Sequence, residues 1–458
     1  MRVNCNLSSI IANTKLKGAQ SSLDRAIERL SSGLKINSAE DDAAGLAIAN
    51  KLHTQIKGLD RSNKNVADGI SVVETAESAL NETQSLIQRM RELAVQAASD
   101  TNGVDDRKAI QQEIDALLDE VTRISSATEF NSMPLLDGTL NRRCYSNVDD
   151  ISMFSVSSSV PAGDYTLVLE QDATQASANV TINQNAFPAE GKVEINGSVM
   201  DITEEDTYDT VLTKFTELCD NANLLYDKTT GVLNTYEYGI TETIECKISD
   251  SLSGIFDVSG ITAGTDAVVS FGTDNNGGFN NTATISTNGN FVTITDFGGF
   301  ELTLEFESTL VADNGGPVEF TEKVTDMGCL TVQLGANEGQ TLDIDIPVVD
   351  QHTLGIENLN VCTALGASEA ITKLDIALEK VSAVRSQLGA YQNRLEGVVT
   401  HLEAYEENVT AAVSRVEDAD MAEEMTEYTS QNVITQAATS ILGQANERPQ
   451  TVLQLLSR

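Results

Sequence analysis

Three histidines offer this sequence its widest choice of chemistry, because a neutral imidazole can bind a metal or act as a general base. They are His53, His352 and His401. None belongs to an HExxH sequence, the helical spacing that brings two imidazoles to one zinc ion. We expect His53 and His401 to lie on solvated helix faces, and we expect no catalytic, cofactor-binding or metal site.

Two acidic pairs are further candidates for chemistry. Asp343 and Asp345 alternate along a predicted strand, so both carboxylates could point to one side. A solvated strand face explains them more simply and is the preferred interpretation. Asp41 and Asp42 could suggest a metal, but capping of the following helix is the better explanation.

The cysteines form no recognisable metal or redox motif. No CxxC and no zinc-type Cys-His spacing occurs among them, and their even number selects no disulfide pairing. We therefore favour free thiols, which persist most easily in reducing surroundings. The six positions are Cys5, Cys144, Cys219, Cys246, Cys329 and Cys362.

Charge and composition exclude several classes of partner. The 458 residues include 69 acidic and 29 basic side chains, for a formal net charge of -40. Such a chain repels phosphate backbones and anionic lipid, so we expect neither nucleic-acid binding nor membrane insertion. The segment from Met1 to Thr14 lacks the unbroken apolar run of a cleaved secretory signal, and no stretch approaches a membrane span.

Heptad patterns at both ends of the chain are the strongest structural signal. A helix with one apolar stripe cannot bury that stripe alone, so the seams need one another or other chains. The first N-terminal seam is Ala12, Leu16, Ala19, Leu23, Ala26 and Leu30. A second N-terminal seam runs through Val66, Ile70, Val73, Ala76, Leu80, Ile87, Met90 and Ala94, and a third through Ile110, Ile114, Leu117, Val121 and Ile124. We predict helix from Ile371 to about Gly443. The C-terminal seam begins at Val384 and continues through Leu388, Tyr391, Leu395, Val398, Leu402, Tyr405, Val409, Ala412 and Val416.

The middle of the chain changes to short alternating runs typical of strands. Asn196-Gly197 and Asn288-Gly289 lie between such runs, where each pair predicts a type I′ hairpin turn. A helical pattern from Thr207 to Cys219 interrupts the strands. We predict that residues 141 to 326 form one or two β-rich α+β domains inserted between the helical ends.

Several motifs resemble the ends of bacterial flagellin. The N-terminal matches are the run from Ile27 to Gly45 (IERLSSGLKINSAEDDAAG), then Ala67 to Ser71 (ADGIS), Gln88 to Gln96 (QRMRELAVQ) and Glu129 to Asn131 (EFN). The C-terminal matches are Leu334 to Thr341 (LGANEGQT), Gln387 to Ala390 (QLGA), Gln392 to Leu395 (QNRL) and Pro449 to Leu453 (PQTVL). The resemblance covers about residues 1 to 140 and 327 to 458. Cysteine is unusual for that family, and Glu447-Arg448 places charge just before the terminal motif.

The resemblance implies an α+β fold: a long antiparallel helical bundle or coiled coil built from both chain ends, with an inserted β-rich outer domain. Residues 1–44 and 419–458 would form the inner coiled-coil layer. Residues 45–140 and 327–418 would form the rod domain, and 141–326 the outer domain. The implied function is a filament subunit for motility, extracellular and exported unfolded through the flagellar type III route without a cleaved signal. Two alternatives are a hook-filament junction protein and a filament-displayed binding or adhesin module.

The same resemblance implies partners and sites. Subunits would polymerise with one another through apolar positions of the two ends, and would meet the export apparatus, its chaperone, and hook-associated and cap proteins. Released monomer would be recognised by toll-like receptor five. The expected polymerisation residues are Leu16, Leu23, Leu30, Ile434, Ile441, Leu453 and Leu456, and the expected receptor residues are Arg89, Arg91, Glu92, Leu93 and Glu113. Because Arg89 and Leu93 are four apart, we predict one shared face on which Leu93 fills an apolar pocket of the receptor.

Overall fold

A computed structural model describes residues 6–99, 101–148, 150–157, 159–183, 190–252, 254–272, 275–307, 309–325 and 327–456. The chain divides into two compact units. Unit 1 comprises residues 1–67, 333–341 and 396–458, and unit 2 comprises residues 68–332 and 342–395.

The described elements follow the predicted order of helix, strand and helix. The helices are α1 Leu7–Ser32, α2 Ala43–Ala97, α3 Val104–Ala127, α4 Tyr208–Asn221, α5 Leu310–Asn314, α6 Gln351–Leu354, α7 Ala364–Glu417 and α8 Met421–Leu456. The first twelve strands are β1 Glu129–Phe130, β2 Met133–Pro134, β3 Cys144–Ser146, β4 Ile151–Val156, β5 Gly163–Gln171, β6 Gln175–Ile182, β7 Gly191–Ile195, β8 Ser198–Ile202, β9 Leu224–Asp227, β10 Val232–Tyr238, β11 Cys246–Ile248 and β12 Phe256–Thr262. The remaining strands are β13 Val268–Phe271, β14 Thr284–Asn288, β15 Phe291–Asp296, β16 Phe300–Phe306, β17 Val318–Val324, β18 Leu330–Gln333 and β19 Thr341–Ile344.

Local capping chemistry ends α1 and begins α2 in unit 1. Gly33 adopts φ +75°, a left-handed conformation that glycine enters without strain, and its N–H donates to the Arg29 carbonyl at 2.8 Å. The Asp42 carboxylate accepts from the N–H groups of Ala44 at 3.0 Å and Gly45 at 2.9 Å. Asp41 accepts from the preceding turn at Ser38, and these hydrogen bonds lower the pKa of its carboxyl. The capping interpretation is confirmed for Asp42, whereas Asp41 stabilises the preceding turn and does not cap the helix.

The predicted helical stretch from Ile371 to about Gly443 consists of two helices, because the chain is interrupted between α7 and α8. The Asp420 side chain accepts from the N–H groups of Ala422 at 2.9 Å and Glu423 at 3.3 Å and so starts a new helix. The Ala419 N–H donates to the Gly33 carbonyl at 2.9 Å, so the connector after α1 occupies the backbone groups at the break. This pairing is tertiary and left no periodic signal in the sequence.

The helical part of unit 2 buries the predicted second and third seams. Most of the predicted seam positions on α2 and α3 are buried, as regular burial every three or four residues requires, while Ile70 and Leu117 are half-buried. The buried set includes Val73, Ala76, Leu80, Ile87, Met90, Ala94, Ile114, Val121, Leu374, Ala377, Val381 and Leu388. Two small sheets, β1-β2 and β18-β19, and the short helix α6 complete this part of the fold.

The inserted region forms two β-rich modules with separate cores. Module A, residues 144–171 and 268–324, has two four-stranded sheets with orders β13-β5-β17-β3 and β14-β15-β16-β4. Its core includes Leu167, Leu169, Val292, Ile294, Leu302, Leu304 and Phe320. Module B, residues 175–262, has sheets β12-β6-β10-β9 and β11-β7-β8 together with α4, around a core that includes Val180, Ile195, Val211, Phe215, Leu224 and Leu233.

Module B is an insertion within module A. The chain leaves module A after β5 and returns at β13, and Thr174 pairs with Thr265 where the two crossings meet. Their backbones exchange hydrogen bonds of 2.9 and 3.1 Å, and their hydroxyl oxygens lie 2.8 Å apart. The inserted region therefore contains two nested modules.

One predicted hairpin turn is confirmed and the other is displaced. Asn196 and Gly197 both have positive φ, +44° and +79°, as a type I′ turn requires. In the second hairpin Asn288 pairs with Phe291, so the two-residue loop is Gly289-Asn290, and Gly289 supplies the positive φ at the first central position. That is the type II′ pattern, one residue further along than predicted. Within the described residues, no helix is long and apolar enough to cross a membrane.

Candidate assembly and receptor surfaces

The two ends of the chain form an antiparallel helical pair in unit 1. Near its start, α1 contacts the last turns of α8 through a hydrogen bond of 2.8 Å from Asn6 Nδ2 to the Ala445 carbonyl. Near its end, α1 contacts the start of α8 through Arg29 Nη1 and Glu424 Oε1, 3.0 Å apart. Opposite ends of the helices are therefore in contact, as the predicted fold class requires.

The predicted N-terminal seam is the face that α1 turns inward. Ala12, Ala19 and Ala26 are buried, at 9%, 7% and 2% exposure. Leu16, Leu23 and Leu30, the alternate members of the heptad, are half-buried. The small alanines let the two helices approach closely, while the leucines lie at the margin and remain available for further contacts.

On α8 the apolar residues mostly face away from this seam. Half-buried positions recur at Tyr428, Gln431, Thr435, Ala438 and Leu442, a heptad pattern with few large apolar side chains. Val433, Ile434 and Ile441 are 61%, 46% and 57% exposed. A shallow groove of about 540 Å³ runs along this side, lined by Met425, Thr426, Thr429, Ser430, Val433 and Ile434. An exposed apolar stripe of this kind marks an interaction surface.

Ile434 and Ile441 were among the expected polymerisation residues, whereas Met425 and Val433 were not. The groove consists of two rows with i, i+4, i+8 spacing, and that spacing was the available signal. The helix continues to Leu456, but the side chains of Leu453 and Leu456 lie outside the described residues. Their part in polymerisation stays a prediction.

Three of the expected receptor residues form one exposed cluster on α2 and α3. Arg89 Nη2 and Nε lie 2.7 and 3.1 Å from Glu113 Oε1, and Arg89 Nη1 lies 3.3 Å from Glu92 Oε2. The side chains of Arg89, Glu92 and Glu113 are 50%, 72% and 47% exposed. The cluster presents a planar guanidinium between two carboxylates, a group suited to charge-assisted hydrogen bonds with a partner protein.

Leu93 does not share that surface. Its side chain is 2% exposed and belongs to the core stripe of α2 with Met90, Ala94 and Ala97. Four residues advance a helix by about 40° beyond one turn. Arg89 and Leu93 therefore lie on either side of the boundary between the exposed and buried faces. Leu93 is therefore enclosed in this structure, and its expected contact with a receptor pocket stays a prediction.

Arg91 faces a different neighbour. Its Nε lies 2.5 Å from Asp375 Oδ1 and its Nη2 lies 3.3 Å from Asp375 Oδ2, so the side chain is engaged with α7. Two residues from Arg89, it points to another side of α2. The structure thus brings Arg89, Glu92 and Glu113 together, and separates Arg91 and Leu93 from them.

Among the candidates for chemistry, Asp345 is the one that the sequence misjudged. Strand β19 ends at Ile344, so the alternation does not extend to Asp345, which is buried at 4% exposure while Asp343 remains exposed. Burial raises the pKa of the Asp345 carboxyl to about 6, although the nearby Arg142 opposes this. Its Oδ1 has no hydrogen-bond partner within the described part of the chain.

The thiols are sheltered rather than activated. Cys144, Cys219, Cys246, Cys329 and Cys362 are free, and Cys5 lies outside the described residues. Burial raises the pKa of Cys144 and of Cys219 to about 12, which keeps these sulfurs protonated and unreactive at neutral pH. In the described ranges, no group of three or more His, Cys, Asp or Glu side chains is arranged to hold a metal ion.

The described chain has paired helical ends, an exposed apolar stripe on α8 and two nested β-rich modules. These features are typical of a self-assembling structural protein. Comparison with known sequences agrees with this class. Residues 3–141 match the bacterial flagellin N-terminal helical region, and residues 371–456 match the bacterial flagellin C-terminal helical region.

Similar proteins extend over the whole chain. A flagellin of Clostridium tyrobutyricum is 34% identical, covering 98% of this chain and 100% of its own length. Flagellin D of Vibrio anguillarum is 32% identical, covering 100% of this chain and 99% of its own length. A solved hook associated protein-3 from Legionella pneumophila, at 13% identity and TM-score 0.31, covers 80% of this chain and 98% of its own. That score is too low to carry an argument.

The chain therefore belongs to the bacterial flagellin family. It is a structural subunit of the flagellar filament, which lies outside the cell. The full-length relatives are flagellins, so neither the junction protein nor a displayed binding module is favoured as an alternative.

Proposed function

We propose that this filament subunit polymerises through the exposed stripe of α8 together with the leucine margin of α1. The observation that supports the proposal is the exposure of Val433, Ile434 and Ile441 on a helix whose opposite face is already paired. Burying an apolar side chain of this size contributes about 1.5 to 3 kcal/mol, and the contribution recurs in every subunit of a helical polymer.

Deletion of Val433 to Arg458 tests the assembly surface. The truncated chain should fail to extend seeded filaments, because it lacks most of the stripe, while modules A and B keep their own cores. A matched deletion of module B at the Thr174–Thr265 crossing should leave extension intact. Elongation of filament seeds by the truncated chain at the wild-type rate would contradict the proposed surface.

We further propose that the subunit leaves the cell unfolded through the flagellar type III route, without a cleaved signal, and is escorted by an export chaperone. Assembly at the filament tip would follow contacts with the hook-associated and cap proteins. The support is membership of the flagellin family. Removing Ile10 to Leu30 should block secretion. Secretion at the wild-type level would contradict this route.

Recognition of the monomer by toll-like receptor five is also a proposal. We now limit its contact set to Arg89, Glu92 and Glu113, which form one exposed cluster. Within this cluster Arg89 already satisfies two carboxylates, so a receptor must offer acceptors that compete with them. Titration of the receptor ectodomain with charge variants of these three residues tests the assignment.

A further inference from the structure

His352 lies between two carboxylates that belong to different parts of unit 2. Its Nε2 is 3.0 Å from Glu305 Oε2 on β16 of module A, and its Nδ1 is 3.0 Å from Glu357 Oε2, just after α6. The histidine itself is on α6, outside module A. One imidazole ring thus joins module A to the segment that precedes α7.

Only one protonation state of the ring satisfies both contacts. An imidazolium donates from both nitrogens, whereas a neutral imidazole donates from one and presents a lone pair on the other. With a neutral ring, one of the two carboxylates would face that lone pair without a proton between them. Burial lowers the pKa of His352, but the hydrogen bonds to Glu357 and Glu305 outweigh it, and the net pKa is raised.

Aromatic and charged side chains surround this contact. Phe154 of β4 meets the His352 ring edge-on with centroids 5.5 Å apart, and Phe291 of β15 lies 6.4 Å away. Lys380 of α7 lies over the Phe154 ring, 5.2 Å from its centroid, and its Nζ donates to the Thr353 carbonyl at 2.9 Å. Burial lowers the pKa of Lys380, and the nearby Glu301 favours its charged form.

Strand β16 buries its apolar side chains inside module A. Residues alternate along β16, and its core-facing positions Leu302, Leu304 and Phe306 are buried inside module A. Glu305 lies on the opposite face of the strand, which it shares with Thr303. Interfaces between domains that are small and polar permit relative motion by default, so an ion contact has a large share in fixing them.

We propose that His352, Glu305, Glu357, Phe154, Phe291 and Lys380 form a pH-sensitive clasp between module A and the α6–α7 segment. The clasp is closed when His352 is protonated and loosens as the ring loses its proton. Glu305 and the two phenylalanines then move away from His352 together with module A. Glu357 and Lys380 remain with the helical segment. This device goes beyond filament formation, because it acts within one subunit.

The sign of the pH dependence follows from the proton count. The closed clasp binds one proton more than the open one wherever an isolated imidazole is neutral, so acid favours closure. Each unit by which closure raises the pKa corresponds to about a tenfold change in the closing equilibrium. We expect the change between about pH 6 and pH 8, the range in which histidine titrates.

Hydrogen–deuterium exchange of the full-length monomer measures the clasp directly. We expect slower exchange at pH 6 in peptides covering Ile151–Val156 and Gln351–Leu354. After correction for the intrinsic pH dependence of amide exchange, the rate at pH 6 should be at least about threefold lower than the rate at pH 8. His352→Gln should remove this difference and leave both segments in the faster state. His352→Lys keeps one charge for the two carboxylates at every pH, and should leave both segments in the slower state.

Two further measurements separate the clasp from a general loss of structure. Because the chain has three histidines, the ring proton of His352 can be assigned in an NMR titration by its loss in His352→Gln. Glu305→Gln should lower the midpoint of that titration and abolish the exchange difference. His401→Gln, on an exposed helical position, is the matched control and should change neither. An exchange difference that survives in both His352→Gln and Glu305→Gln would overturn the proposal.

Discussion

Asn6 and Ala445 are 439 positions apart in the chain, yet the Asn6 side chain donates to the Ala445 carbonyl at 2.8 Å. The contact joins the first turn of α1 to the last part of α8 that is described in full. Ser9 Oγ and Asn446 Oδ1, also 2.8 Å apart, add a second contact one turn further along. The first and last helices are thus held in register by polar groups at their ends, and by small alanines between them.

Because the paired face is built from alanines, the ends should be the least stable part of the free monomer. Little apolar area is buried there, whereas ordering the backbone costs roughly 1 to 2 kcal/mol per residue. We predict an ordered monomer from about residue 45 to residue 418, with both ends ordered fully only on assembly. Limited proteolysis should trim both ends of the monomer and spare the filament. Equal resistance of the two forms would contradict this prediction.

Leu23→Ala should affect the monomer more than Ile441→Ala does, and Ile441→Ala should affect polymerisation more than Leu23→Ala does. Leu23 is half-buried on α1, so its truncation should loosen the pairing of the two ends and speed their proteolytic trimming in the monomer. Ile441 is 57% exposed, so its truncation should change monomer stability by less than about 0.5 kcal/mol.

In the polymerisation assay the order should reverse. Ile441→Ala should raise the critical concentration about tenfold, which is equivalent to 1.4 kcal/mol per subunit contact. Lys17→Ala, an exposed substitution on α1 away from the buried face, serves as the control. A normal critical concentration for Ile441→Ala would exclude the exposed stripe as an assembly contact.

Arg89→Ala should weaken binding of the monomer to the toll-like receptor five ectodomain by more than about 1 kcal/mol, the usual threshold for a hot-spot residue. Arg91→Ala is the matched control, since this arginine faces Asp375 on α7 and should lose less. Leu93→Ala is unsuitable as a contact test. Truncating a buried leucine costs about 2 to 5 kcal/mol of stability, and would impair binding indirectly. Equal losses for Arg89→Ala and Arg91→Ala would remove the basis for the three-residue cluster.

Asp345 should make the stability of unit 2 depend on pH. Burial raises its pKa to about 6 from the ordinary 3.8, so the folded chain holds a proton that the unfolded chain has released. The free energy of unfolding should therefore fall as the pH rises from about 4 through 6, by up to about 3 kcal/mol from this group.

Urea unfolding of Asp345→Asn at pH 5 and pH 7.5 tests this contribution. The variant should lose less stability between the two pH values than the wild type does, because an amide does not titrate. Glu242, whose pKa burial raises to about 7, remains in both proteins and cancels in the comparison. Asp343→Asn, two residues away and exposed, is the control. If the free energy of unfolding changed with pH by the same amount in Asp345→Asn and in the wild type, the Asp345 carboxyl would not contribute to that change.

Periodicity predicted the helical ends because burial on a helix repeats every three to four residues and leaves that repeat in the sequence. The inward positions Ala12, Ala19 and Ala26 were therefore predictable, and so was the turn at Asn196-Gly197, which needs residues that tolerate positive φ. Motif resemblance supplied the family.

Side-chain neighbours across the fold were not predictable in this way. Leu93 is buried although Arg89, four residues earlier, is exposed. This difference depends on how wide a face of α2 is covered by other helices, whereas the helical period indicates only the centre of the buried face. The depth of Asp345 depends on where β19 stops, and the pairing of His352 with Glu305 joins residues 47 positions apart. The sequence by itself determined which elements form and which family they belong to, because those signals are local and repeated. Tertiary packing decided which side chains are exposed, buried or charged, because burial and electrostatic interaction depend on neighbours that no local pattern specifies.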